Sequence, residues 1–71
     1  MKATLTFNLP DDHVEHMYAV HASDFHSVLY DLDQEMRTIL KYEDHPEGVY
    51  VVVERLREML REGVYKTGIE F

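Results

Sequence analysis

Seven apolar residues, Phe25, Val28, Leu29, Leu32, Met36, Ile39 and Leu40, recur at the three-and-four spacing of one helix face. Ser23 stands two residues before them, where an N-cap belongs. The pattern predicts a helix from Ser23 to about Tyr42, the spine of a small packed domain. Before it, Val14, Met17, Tyr18 and His21 keep helical spacing and predict a short first helix from about Asp11 to Ala22. Asp11 and Asp12 suit the positive end of that helix.

The first residues follow a different period. In ATLTFNL, Ala3, Leu5, Phe7 and Leu9 alternate with Thr4, Thr6 and Asn8, the signature of a half-buried strand over 3–9. Pro10 ends it. The turn Glu43-Asp44-His45-Pro46-Glu47-Gly48 follows the second helix. The valine run 49–53 then reads two ways. It is β-branched enough for a strand, yet Val49, Val52, Val53, Leu56, Leu60 and Val64 form a helical stripe continuous with ERLREMLRE. One helix from about Glu47 to Tyr65 is the preferred reading. Gly68 suits its C-terminal cap, and Ile69-Glu70-Phe71 is expected to pair with 3–9.

The expected fold is therefore α+β and mostly helical. Its order is β-α-α-α-β, a small two-stranded sheet packed by helices in a single domain spanning 1–71. Two strands alone are marginal, so the helices must supply most of the core. A chain of this length buries only roughly 60% of its extended surface, and such domains usually need a staple, a metal or a partner subunit.

Composition removes some of these supports. There is no cysteine, which excludes disulfides and thiolate metal sites. No run approaches the roughly 20 apolar residues of a membrane span, and MKATLTFNLPDD lacks the apolar core of a secretory signal. The cytoplasm is the simplest expected location. Fourteen acidic and seven basic side chains give a net charge of −7. Such a surface repels phosphates, so no direct nucleic acid binding is expected. It serves solubility, or it docks on a basic groove of another protein.

Chemical motifs are weak throughout, and the sequence alone does not state what the protein does. His13 and His16 could share a metal on one helix, but His21 and His26 fall off that face and no HExxH pattern is present. No metal and no cofactor are expected. Asp24, Asp31 and Glu35 line the flank of the second helix, where solvated carboxylates are ordinary. There is no glycine-rich phosphate loop, and Ser23 and Ser27 have no triad around them. These absences argue against an enzyme.

The remaining signal is misplaced aromatic and charged residues. Tyr50, Val51 and Tyr65 point away from the predicted buried face of the third helix, and Tyr30 does so on the second. Tyrosine is frequent at binding hot spots. Asp33 and Arg37, four apart, are expected to pair on the outer face. These six residues form the expected partner-binding set.

The segments KATLTFNLPDD, SDFHSVLYDLDQEMRTILKYED and ERLREML resemble small accessory proteins encoded by tailed bacteriophages. The shared pattern is FNLP, then SVLxDLDQxxR, then LKY, and it covers most of the chain. The valine run at 49–53 departs from it. The resemblance implies action in the cytoplasm of the infected bacterial cell and carries over no catalytic residue. It points to the segment Asp31-Leu32-Asp33-Gln34 with Arg37, where Asp33 and Arg37 either project outward for binding or cap or brace neighbouring elements. The leading expectation is a small acidic phage protein that binds and modulates a bacterial host protein, in the specific form inhibiting a component of a host defence system. The second is a homo-oligomer that sequesters a small ligand such as a nucleotide, with Arg55, Arg57, Arg61 and Lys41 as the converging cations.

Overall fold

The computed structural model describes all residues 1–71 and contains three helices: α1 (His13–Val20), α2 (Ala22–Tyr42) and α3 (Glu47–Lys66). α2 and α3 form an antiparallel hairpin, and α1 lies against the start of α2. The third helix is whole, so the β-branched run 49–53 is helical. Burial of Val64 and part-burial of Val53 and Leu60 on the side that faces α2 override the local β preference of the valines, while Val52 and Leu56 of the same stripe stay exposed.

The expected two-stranded sheet is absent, and the fold is all-helical. The reason is placement. Phe7 packs its ring on His16 of α1, with centroids 5.3 Å apart. The other terminus lies elsewhere: His26 of α2 meets the carbonyl of Glu70 at 3.0 Å, and Phe71 packs against His26 and Tyr30. The two segments therefore do not meet, and residues 1–7 make no backbone hydrogen bond. Alternation predicted an extended chain, but a strand also needs a ladder partner.

Boundaries differ at α2 as well. Ser23 is not its cap. The helix starts at Ala22, with the single residue His21 between α1 and α2. Ser23 is inside the helix, where its carbonyl accepts from the Ser27 hydroxyl at 3.1 Å. Asp12 closes the turn before α1: its carboxylate accepts from the Asn8 N–H at 2.9 Å, while its own N–H donates to the Asn8 carbonyl at 2.7 Å. α3 ends at Lys66, past Gly63. Gly68 follows with φ of +85°, the left-handed conformation that glycine adopts without steric cost.

The hairpin has little interior. Met36 and Val64 are its buried apolar residues, and Asp33 is its buried polar one. The radius of gyration is 16.9 Å, against about 11 Å for a compact chain of this length. The molecule measures 51 × 28 × 17 Å, less than two helix diameters thick in its shortest direction. The seven-residue ladder of α2 is thus not a closed core: Met36 is buried, whereas Phe25, Val28, Leu29 and Leu32 are exposed.

Candidate functional site

The best-defined polar arrangement crosses from α2 to α3. Asp33 has no solvent exposure and sits between two guanidinium groups one turn apart on α3. Arg57 donates from Nε to Oδ1 at 3.0 Å and from Nη2 to Oδ2 at 3.4 Å. Arg61 donates from Nη1 to Oδ2 at 3.2 Å. The side-chain amide of Gln34 adds a fourth donor to Oδ2, at 3.3 Å. Burial alone would raise the carboxyl pKa, but hydrogen bonds and charge from Arg57 and Arg61 outweigh it. Asp33 is held below its ordinary value of 3.8. The side chains of Arg57 and Arg61 are 21% and 37% exposed, so their outer edges still reach water.

This arrangement corrects the sequence reading at its centre. Asp33 does not project outward and does not pair with Arg37. It faces α3, and Arg37 instead lies over the Tyr42 ring at 5.8 Å. A charge interrupting an apolar ladder is the signal that could have found it: Asp33 falls between Leu29 and Met36 on the inward side. Arg57 and Arg61, at i and i+4 on α3, are its matching signal.

Beyond the triad, the two flanks of the hairpin differ. On the polar flank, Glu54, Glu58, Glu62 and Tyr65 surround Arg57, Arg61 and Leu40 in an open cleft of about 410 Å³. Arg61 donates from Nη2 to the Tyr65 hydroxyl at 3.0 Å and stacks its guanidinium over that ring at 5.7 Å. Three carboxylates and the Asp33 charge outnumber the two cations, so the cleft is acidic. Arg57 and Arg61 are therefore engaged in the fold and do not form a free cationic pocket. Lys41 and Arg55 are not among the residues that line it.

The other expected binding residues divide. Helical spacing places Tyr30, Arg37, Val51 and Tyr65 on the polar flank. Tyr30, Val51 and Tyr65 are exposed there. Tyr50 has a structural task. Its hydroxyl donates to the Glu43 carbonyl at 2.8 Å and accepts from the His45 N–H at 2.7 Å, bracing the α2–α3 turn.

The opposite flank is apolar. Phe25 and Leu29 of α2 and Met59, Leu60, Gly63 and Val64 of α3 line an open cleft of about 470 Å³, with Ile69 and Tyr18 at one end. Val28 and Leu32 continue this surface along α2, and Val52 and Leu56 continue it along α3.

The histidines do not converge. His21 contacts Asp24 at 3.1 Å, His45 contacts Glu43 at 2.7 Å, and His26 and His16 are engaged at the two termini. No group of three or more histidine and carboxylate side chains is placed to hold a metal ion. No helix is long and apolar enough to cross a membrane. No family model matches the chain, and neither a curated protein nor a solved structure matches it significantly.

Proposed function

We propose that this chain is an interaction protein and not an enzyme: a small acidic phage accessory factor that acts in the cytoplasm of the infected bacterium, where it binds a host protein and modulates it. The observation that carries the reading is the polar flank of the hairpin. There Glu54, Glu58 and Glu62 ring an exposed tyrosine, Tyr65, whose hydroxyl and ring are both held by Arg61. A tyrosine fixed before binding loses little conformational entropy on contact, and the surrounding carboxylates suit a basic surface on the partner. The phage resemblance supports the host assignment, and the net charge of −7 supports the basic target.

The test is affinity capture from bacterial lysate with the native chain and with the double variant Tyr65→Ala, Glu58→Ala. One stoichiometric host protein is expected with the native chain. It should be lost from the variant while helical circular dichroism is unchanged. Equal capture by both would sink the assignment of this surface.

A further inference from the structure

We propose that a second copy of this chain covers the apolar flank of the hairpin, forming a two-fold dimer in which α2 of each copy packs on α3 of the other. The flank presents Phe25, Val28 and Leu32 from α2 and Val52, Leu56 and Met59 from α3. All six are at least 45% exposed, with Val28 at 65% and Met59 at 61%. Together they offer roughly 600 Å² of apolar surface per copy, close to the roughly 800 Å² per partner of a standard stable interface. It lies at the upper limit for the largest apolar patch on a monomer.

A second copy fits better than a foreign protein for two reasons. The first is dependence. Met36 and Val64 are the only buried apolar residues, and the molecule is far more extended than a compact chain of its length. Its cover must be present whenever the chain is, and only another copy always is. Two such hairpins stacked on their apolar flanks make a four-helix layer pair, a closed solution for one-sided helices.

The second reason is charge. Two chains of −7 repel each other, so they can approach closely only through a surface without acidic side chains at its centre. This flank is such a surface. Helical spacing places Asp24, Asp31 and Glu35 along its α2 rim and Arg55 and Lys66 along its α3 rim. The Asp33–Arg57 bond fixes how the antiparallel helices align. Glu35 lies two residues beyond Asp33 and Arg55 two residues before Arg57, so both rims carry their charge at the same level. Packing α2 on the partner's α2 would set the acidic edges of the two copies, Asp24, Asp31 and Glu35 on each, against one another. Packing α2 on the partner's α3 sets Glu35 beside the partner's Arg55, twice by symmetry.

Native mass spectrometry and sedimentation of the full chain test the proposal, with a charge-reversal set that spares the apolar residues. The native chain should run at twice its 8.4 kDa mass. Glu35→Arg and Arg55→Glu should each weaken the dimer several-fold, and the two combined in one chain should restore it. A monomer at micromolar to millimolar concentration, folded or unfolded, overturns the proposal, as does an odd-numbered assembly. A dimer that neither single reversal weakens, or that the double reversal does not restore, overturns the α2-on-α3 arrangement. These readouts involve no host protein, so they stand or fall separately from the capture experiment.

Discussion

The two flanks of the hairpin are built from the same pair of helices and differ in how far a single chain satisfies them. On the polar flank every long-range interaction closes internally. Asp33 has four donors, Arg61 also holds Tyr65, and no buried side-chain polar atom lacks a partner. On the apolar flank, Val28, Leu32, Val52, Leu56 and Met59 face outward and exposed, and Phe25 meets only the edge of the Tyr18 ring, 6.4 Å between centroids. Directional interactions can be completed by two or three side chains. The hydrophobic effect needs area, and two helices in one layer cannot enclose it. The hairpin is thus specified by a few polar contacts on one side and left thermodynamically incomplete on the other.

That contrast is broken most severely at Asp33. Replacing Asp33 with Ala leaves Arg57 and Arg61 facing each other without their carboxylate. The expected loss is about 3 kcal/mol, because removing one partner of a buried pair strands the other charges. Arg57 and Arg61 retain some water contact, which places the loss at the lower end of that class. Thermal unfolding followed by helical circular dichroism measures it.

Acid should approach the same loss without mutation. The folded pKa of Asp33 lies below its ordinary value of 3.8. Its contribution is then fully present above that value and is lost as pH falls through the lower folded value. The melting temperature should fall more steeply below about pH 4 in the native chain than in an Asp33→Asn variant. Identical acid limbs would show that the triad contributes no pH-dependent stability.

On the apolar flank, Leu32→Ala should cost about 2 kcal/mol per copy where two copies are assembled, and little where they are not. The dependence of its melting temperature on protein concentration separates the two cases. A concentration-dependent loss would set Leu32 apart from Asp33, whose partners all lie within one chain.

Much of the helical architecture was legible in the sequence, because long periodic segments report themselves. The three-and-four spacing located α2 and α3, and the stripe from Val49 to Val64 correctly favoured helix over strand. The sheet was misread because alternation in residues 3–9 describes one chain's preference, whereas a ladder depends on where a second segment lies. Phe7 on His16 and Phe71 on His26 and Tyr30 hold those segments apart. Asp33 was misread for a similar reason. Its pairing with Arg37 satisfied a rule local to one helix, while its actual partners lie 24 and 28 positions away. Tyr50 looked displaced from the core because its role, bridging Glu43 and His45, belongs to a turn whose geometry no periodicity encodes.

The Asp33 triad has one more consequence, for how the hairpin finds its alignment. Apolar side chains along α2 and α3 would pack almost as well if one helix slid along the other by a turn, about 5.4 Å. A carboxylate between two guanidiniums tolerates no such slide. A shift in one direction brings Val53 opposite Asp33, and a shift in the other brings Val64, leaving a cation without its partner or an anion against hydrocarbon. One charged residue placed inside an apolar ladder thereby acts as a positional key: it selects a single alignment from several of similar packing energy.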